Sequence, residues 1–254
     1  MQSAIKKWKL LAVALVTAFC TGTALAADII VSAAASLTNA FAEIGKEFDK
    51  SNPGHRAVFN FAGSGALLQQ ISRGAPVDVF ASADQETMDR ADQRNLIVRT
   101  SRSDFVRNIL VVVAPKGAKS APRSLEDLKD AGITRLAISN PENVPVGKYT
   151  REALEAAGLW DAVKGKSLNT QNVRQSLDYV ARGEADVGFV YGTDAALMAD
   201  KVEVLFEVPT KTPILYPIAA VKGSGNENFA LKFIEYVRSD AGQKVLAKYG
   251  FQKP

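Results

Sequence analysis

Apolar and polar positions follow two periods along this chain, and the two periods take turns almost to its carboxyl end. Short β-branched runs such as "DIIVSA", "ILVVVAP" and "ADVGFVYG" have the pattern of buried strands. Between these runs, apolar side chains recur every three or four residues, as in the segment that starts at Ser36. This spacing is typical of helices that pack on one face. Strands that alternate with helices predict an α/β protein with largely parallel sheets.

The remaining elements follow the same pattern. Further strands are predicted at "AVFNFAG", "VDVFASA", "RLAIS", "VEVLFEV" and "ILYPIAAVKG". Helices are predicted at residues 66–72, "DQETMDRADQRN", "SLEDLKDAG", "VPVGKYTREALEAAG" and "NVRQSLDYVARG", and "ENFALKFIEYVRSDAGQKVLAKYGF" is predicted to form one or two more.

The first 26 residues have the pattern of a cleaved signal peptide. Three lysines precede a short apolar run, and a small-x-small sequence ends at Ala26. The run is shorter than the roughly 20 residues of a membrane span. Cys20 raises the alternative of a lipoprotein anchor, although Phe19 stands where that processing needs a small residue. We therefore expect export and cleavage after Ala26, which places the protein in the periplasm.

Removal of the signal peptide changes the composition. Residues 27–254 lack three of the 31 basic side chains and keep all 27 acidic ones, so the formal charge falls from +4 to +1. Such a balance predicts no binding to nucleic acid. These residues contain no cysteine and one histidine, His55, which lies in the polar turn "KSNPGHR". Disulfides and cysteine nucleophiles are excluded, and a Ser-His-Asp triad would depend on this one side chain.

Candidate chemistry lies where predicted strands end and helices begin at once. The first N–H groups of a helix have no partner within the helix, and the helix dipole places about half a positive charge there. Such ends bind anions without a charged side chain. Four places have this arrangement: Ala35-Ser36, Gly63-Ser64-Gly65, Pro145-Val146-Gly147 and Asn172-Val173.

Each of these residues also has an ordinary structural interpretation. Ser36 and Ser64 are typical helix N-caps, and Gly63 and Gly65 could serve a tight turn. Tyr191 ends an apolar strand and could be either a core aromatic or a donor at a cleft edge.

The acidic residues show no metal-loop spacing. We expect helix caps and surface positions for them, and no catalytic residue, cofactor or metal site of their own. The acidic residues considered are Asp78, Asp84, Asp186 and Asp194.

Several blocks of the chain together resemble a known family. "AAASLTNAF", "FAGSGALLQQI", "GAPVDVFASAD", "NPENVPVGKYTREAL" and "VRQSLDYVARGEADVGFVYGTDA" resemble, in this order, the periplasmic molybdate-binding proteins of ABC importers. The resemblance implies a two-lobed periplasmic binding protein fold, in which each lobe is a largely parallel sheet flanked by helices. It also implies two hinge crossings, near residues 107–109 and 207–214. Lobe 1 would comprise residues 27–107 and 209–254, and lobe 2 residues 108–208.

The same resemblance implies a set of ligand contacts. Ser36 and Ser64 would bind the oxyanion by hydroxyl and backbone N–H, Val146 and Val173 by backbone N–H, and Tyr191 by its hydroxyl. The ligand would be molybdate or tungstate, whose metal atom is the only metal implied, and the partner a transmembrane permease; a monomer is expected. Two positions depart from the family pattern: Gly63-Ser64-Gly65 replaces a serine-rich run, and Val146 replaces an alanine.

The donor-only site suits the chemistry of this ligand. Molybdate carries no proton at neutral pH, so it accepts hydrogen bonds and donates none. Phosphate keeps a proton that would meet another donor, at a cost of about 1–3 kcal/mol per unpaired group. Sulfate is also unprotonated, so only cavity size could exclude it. The alternatives are another oxyanion such as sulfate or a phosphonate, a periplasmic hydrolase, and a sensor that presents its liganded surface to a membrane receptor.

Overall fold

The computed structural model describes residues 28–119 and 121–254. The predicted signal peptide, residues 1–26, lies outside these residues. The described residues form ten strands, all of them short. In chain order the strands are β1 (Asp28–Ala34), β2 (Arg56–Ala62), β3 (Val79–Ala81), β4 (Ser103–Asn108), β5 (Leu110–Pro115), β6 (Leu136–Ser139), β7 (Ser167–Thr170), β8 (Val187–Tyr191), β9 (Val202–Val208) and β10 (Ile214–Ala220).

Nine α-helices occur in the same parts of the chain. The predicted helix "SLEDLKDAG" is instead a single 3₁₀ turn, Glu126–Lys129, because Leu128 alone of its residues is buried and no apolar face forms. The helices are α1 (Thr38–Ser51), α2 (Ser64–Ser72), α3 (Gln85–Gln93), α4 (Pro145–Ala156), α5 (Trp160–Val163), α6 (Val173–Ala181), α7 (Gly192–Leu197), α8 (Glu227–Arg238) and α9 (Asp240–Lys248).

The strands form two five-stranded sheets with related topology. The first has the order β2-β1-β3-β10-β4 and the second the order β7-β6-β8-β5-β9. Strand β1 is parallel to β2 and β3, and β6 is parallel to β7 and β8. In contrast, β10 is antiparallel to both its neighbours, and so is β5. Both sheets are therefore mixed.

The chain passes between the sheets twice, and these crossings explain the antiparallel strands. A single residue, Ile109, separates β4 from β5, and residues 209–213 separate β9 from β10. Strand β5 begins beside the end of β8, with Leu110 opposite Tyr191. A strand that enters its sheet where the parallel strands end must run antiparallel to them. The two crossings lie where hinge connections are predicted, and the residue limits of the lobes stay a prediction.

Aromatic side chains form the core beside the first sheet. Phe233 of α8 meets Phe41 and Phe48 of α1 edge to face, with ring centroids 5.9 and 5.2 Å apart. Such pairs contribute about 0.5–1.5 kcal/mol each beyond the area they bury. This packing holds α1, and therefore the turn at Ser36 that precedes it, against the end of β1.

Candidate functional site

All five sequence-predicted ligand residues line one cavity between the two sheets. The cavity lies at the carboxyl ends of β1, β2 and β8 and at the N-termini of α2, α4 and α6. Its volume is about 210 Å³, whereas four other cavities among the described residues have volumes of roughly 740–1050 Å³. Space of this size suits an ion of a few atoms. The lining comprises Ala34, Ala35, Ser36, Ala62, Gly63, Ser64, Ala83, Val144, Pro145, Val146, Asn172, Val173 and Tyr191.

The start of α6 leaves one backbone donor for the cavity. The Asn172 side chain caps this helix and accepts from the N–H groups of Arg174 and Gln175, at 3.0 and 3.1 Å. The N–H of Ser176 donates to the carbonyl oxygen of Asn172. Val173 is thus the helix-start residue whose N–H remains, and it lines the cavity.

The start of α4 offers its donors in a different way. Pro145 occupies the first turn and has no N–H, and Val144 provides no side-chain cap. The first available N–H is therefore that of Val146, which is buried against the cavity. Both valines therefore have a backbone N–H at the cavity wall, which is the type of contact that the resemblance implies.

Ser64 has its hydroxyl arranged as a donor. The backbone N–H of Ala83 donates to Ser64 Oγ at 3.1 Å. Ser64 is fully buried and lines the cavity. With an incoming hydrogen bond on its oxygen, the hydroxyl has its own hydrogen left to give. Ser64 is also the first residue of α2 and has Gly63, which provides no side-chain cap, before it.

The hydroxyl of Tyr191 is buried and has no hydrogen-bond partner in the described part of the chain. Burial raises the pKa of Tyr191 well above its usual value, so the phenol keeps its proton. An unpaired buried hydroxyl costs about 1–3 kcal/mol, which a ligand that accepts its hydrogen would recover. This observation favours the cleft-donor interpretation of Tyr191, although its ring also packs in the core, 5.8 Å from that of Tyr216.

Ser36 differs from Ser64 in its partner, which is a side chain distant in sequence. Its Oγ lies 3.0 Å from the hydroxyl of Tyr216 in β10. Tyr216 also receives a hydrogen bond from Asn108 Nδ2 at 3.3 Å. Sequence reasoning missed both residues, because Tyr216 lies within an apolar strand pattern and Asn108 at a strand end without any motif.

The glycines beside Ser64 are required by close approach between the two sides of the cleft, and not by a tight turn. Gly63 has an ordinary negative φ of −62°. A Cβ on Gly65 would lie 2.5 Å from the carbonyl oxygen of Asn143, and one on Gly63 would lie 2.9 Å from that of Gln171. Gly65 N–H donates to the same Asn143 oxygen at 2.9 Å. Any side chain here would hold the cleft open.

Two cations lie near the cavity, and carboxylates neutralise both. Lys148 Nζ lies 3.3 Å from Asp84 and 3.0 Å from Glu86. Arg174 contacts the buried carboxylate of Asp194. Of the described residues that line the cavity, none carries a charge. Helix ends and hydroxyls therefore provide its positive potential.

Of the four acidic residues considered, Asp84 is a helix cap as predicted, whereas Asp78 is buried and does not lie at the surface. Asp84 caps α3, where it accepts from Thr87 N–H. Asp78 accepts from Ile30 N–H, and Asp186 binds the N–H groups of Thr134 and Arg135. Asp194, in contrast, is fully buried. Within residues 28–119 and 121–254, no group of acidic, histidine or cysteine side chains is arranged to hold a metal ion.

The single histidine lies away from the cavity. The ring of His55 stacks on Phe229, with centroids 3.9 Å apart. Among residues 28–119 and 121–254, those that line the cavity include no histidine, cysteine or carboxylate. What the arrangement can do is donate hydrogen bonds to a small ion.

Comparison with known proteins identifies the family. Residues 29–252 match the model for bacterial extracellular solute-binding proteins. The chain belongs to this family. The molybdate-binding protein ModA of Haemophilus influenzae is 38% identical to this solute-binding protein over 234 residues, which cover 90% of the chain and 91% of that protein. The resemblance stated from the sequence is thereby confirmed.

Solved structures agree on the fold. The periplasmic molybdate-binding protein of Azotobacter vinelandii superimposes with a TM-score of 0.77, covers 89% of this chain and 99% of its own, and is 24% identical. The sulfate-binding protein SubI of Mycobacterium tuberculosis superimposes with a TM-score of 0.80 at 17% identity, over 89% of this chain and 86% of its own. The predicted two-lobed α/β fold of periplasmic binding proteins is confirmed. In the described ranges, no helix of this solute-binding protein has the length and apolarity to cross a membrane.

Proposed function

We propose that this protein captures molybdate, and equally tungstate, in the cavity between its sheets and presents it to the permease of an ABC importer. The observation that carries the proposal is a small, uncharged cavity whose hydroxyls and helix-start N–H groups converge as donors, in a chain 38% identical to a molybdate-binding protein. An unprotonated tetrahedral dianion matches such a cavity, because each of its oxygens accepts hydrogen bonds.

Five residues are proposed to hold the anion. Ser36, Ser64 and Tyr191 would donate their hydroxyl hydrogens, and Val146 and Val173 their backbone N–H groups. Delivery to a membrane permease implies a periplasmic location and rests on the family, since solute-binding proteins serve transporters. We propose that the protein acts as a monomer.

The test is the thermal midpoint of the protein with molybdate, tungstate, sulfate or phosphate, each at millimolar concentration. A ligand present at about 1,000 times its Kd adds about 4 kcal/mol to the free energy of unfolding. We expect a large increase with molybdate and tungstate and little with phosphate. An equal increase with sulfate would support the proposed site but contradict the choice of molybdate as its ligand. No increase with any of the four anions would reject the proposal.

A further inference from the structure

A chain of three buried polar groups leads from the core to the cavity. Asn108, at the end of β4, contacts Tyr216 of β10, and Tyr216 contacts Ser36 at the cavity wall. All three residues are at least nine-tenths buried. Asn108 Nδ2 also donates to Thr193 Oγ1 at 2.8 Å, and Asn108 Oδ1 accepts from Ile109 N–H at 3.0 Å.

These contacts determine which atom donates in each hydrogen bond. Because Ile109 N–H donates to Asn108, the amide oxygen must face that N–H, and the amide nitrogen faces Tyr216. An amide nitrogen only donates, so the Tyr216 oxygen accepts. The Tyr216 hydrogen then has one acceptor among the described residues, which is Ser36 Oγ at 3.0 Å. The phenol keeps this hydrogen, since burial raises the pKa of Tyr216 well above its usual value.

We propose that Asn108 and Tyr216 are positioning residues that direct the Ser36 hydroxyl, so that Ser36 presents its hydrogen and not a lone pair to the anion. The inference rests on the proposed function and adds the origin of its selectivity. Ser36 Oγ accepts from Tyr216, and its own hydrogen is turned toward the cavity. Ala83 N–H acts on Ser64 in the same way through a direct bond. Both hydroxyls are thus held as donors. The backbone N–H of Ala83 holds Ser64, and the pair Asn108 and Tyr216, which we call the relay, holds Ser36.

The relay has a consequence that depends on the proton carried by the ligand. In Tyr216→Phe, Ser36 Oγ loses its incoming hydrogen bond and is free to rotate. It can then accept a hydrogen from a protonated anion. The variant should therefore tolerate a protonated oxyanion better, while its loss of affinity for an unprotonated one is small.

Sulfate and hydrogenphosphate isolate this effect. At mildly alkaline pH both are tetrahedral dianions of similar size, and they differ by one proton. Their affinities are measured by calorimetric competition against molybdate. We expect the protein to prefer sulfate to hydrogenphosphate, and Tyr216→Phe to reduce that preference roughly tenfold, the factor that about 1.4 kcal/mol of unpaired hydrogen bonding gives. Tyr236→Phe is the matched control, because its hydroxyl contacts Glu47 and does not line the cavity.

A double-mutant cycle separates positioning from general loosening of the core. With Ser36→Ala in place there is no hydroxyl to direct, so adding Tyr216→Phe should no longer change the preference. Asn108→Ala removes the amide that sets the direction and keeps both hydroxyls. It should shift the preference the same way, and it serves as the second variant if Tyr216→Phe does not fold.

The outcomes distinguish the two proposals. An unchanged sulfate preference in Tyr216→Phe and Asn108→Ala, in a protein that binds molybdate, would overturn the relay and leave the proposed function in place. A protein that binds sulfate selectively but not molybdate would reject the proposed ligand. The same cycle, measured by direct titration with sulfate and hydrogenphosphate, would still decide the relay. A protein that binds none of these anions would overturn both.

Discussion

At the scale of single residues, the site depends on which atom of each residue contacts the ligand. In the proposed site, Ser64 would contribute a side-chain hydroxyl, whereas Val146 would contribute a backbone N–H that survives substitution of its side chain. The cavity therefore contains positions of similar location and burial whose sensitivity to alanine should differ greatly.

Ser64→Ala should weaken molybdate binding about 10- to 100-fold, since a hydrogen bond to a charged group contributes about 1.5–3 kcal/mol. Ser36→Ala and Tyr191→Phe should act in the same direction. Val146→Ala and Val173→Ala should change the affinity less than about threefold, although each removes buried methyl groups and lowers stability. Titration calorimetry well below the thermal midpoints measures all five, and equal losses throughout would contradict the backbone-donor assignment.

Gly65→Ala should weaken binding at least about tenfold by steric contact across the cleft. The new Cβ would lie 2.5 Å from the carbonyl oxygen of Asn143 and 2.9 Å from the Cα of Asn143. These are backbone atoms in a closely packed region, so relieving the contact requires the two sides of the cleft to separate. Because Gly65 and Asn143 belong to opposite sides of the cleft, each side should still fold, and the midpoint without ligand should change little. Gly132→Ala is the control, as its Cβ would have nothing within 4 Å. Normal affinity in Gly65→Ala would show that the sides need not approach so closely.

At the scale of elements, helix N-termini determine where anion-binding donors occur. α6 has a side-chain cap that leaves Val173 N–H available, and α4 has none. Stability and binding are coupled at α6, because Asn172 both caps the helix and holds the first turn that carries Val173 N–H.

Asn172→Ala should lower the free energy of unfolding by about 1 kcal/mol, the usual effect of losing such a cap. It should also weaken molybdate binding, since the first turn that carries Val173 N–H loses its anchor. Ser239→Ala is matched to it: Ser239 caps α9 by accepting from Gly242 N–H and does not line the cavity. It should cost similar stability without affecting affinity. Denaturant unfolding and calorimetry on both variants check this, and equal effects on affinity would argue against a role for the cap.

At the scale of the whole molecule, a few polar contacts join the two sides of the cleft. Arg174 donates to the Ser36 carbonyl oxygen at 3.2 Å and to Asn39 Oδ1 at 2.8 Å, while it pairs with Asp194. Lys148 bridges to Asp84 on the other flank of the cavity. The carboxylates thus hold the cations that span the cleft and keep them from the ligand.

Asp194 makes the stability of this arrangement depend on pH. Burial raises the pKa of Asp194 from 3.8 to about 6, and Arg174 opposes the rise without cancelling it. The folded state therefore binds a proton that the unfolded state has released. This contribution to stability is complete below about pH 4 and is lost as pH rises through about 6, a change of about 3 kcal/mol.

The comparison with Asp194→Asn isolates this titration from those of other groups. Between pH 4 and 7, the free energy of unfolding of the protein should fall by up to about 3 kcal/mol relative to that of the variant. Denaturant unfolding across this range measures it. A pH-independent difference would show that Arg174 keeps Asp194 ionised throughout.

Sequence determined the features that depend on neighbours along the chain. Apolar periodicity predicted most strands and helices. The strand-to-helix junctions predicted four of the residues that line one cavity, Ser36, Ser64, Val146 and Val173, and the family resemblance added Tyr191. Such features arise from local burial patterns and from helix ends, which a short segment displays by itself. The strand β7, "SLNT", was missed because its four residues show no apolar alternation.

Only the tertiary structure decided what depends on residues far apart. Tyr216 lies 180 positions from Ser36, and no local pattern indicates that their hydroxyls meet. The need for glycine at Gly65 comes from the Asn143 backbone across the cleft and not from its own turn. Hydrogen-bond direction, close approach and burial are properties of assembled neighbours. Sequence could therefore identify the candidate donors, while the fold determined that they line a single cavity.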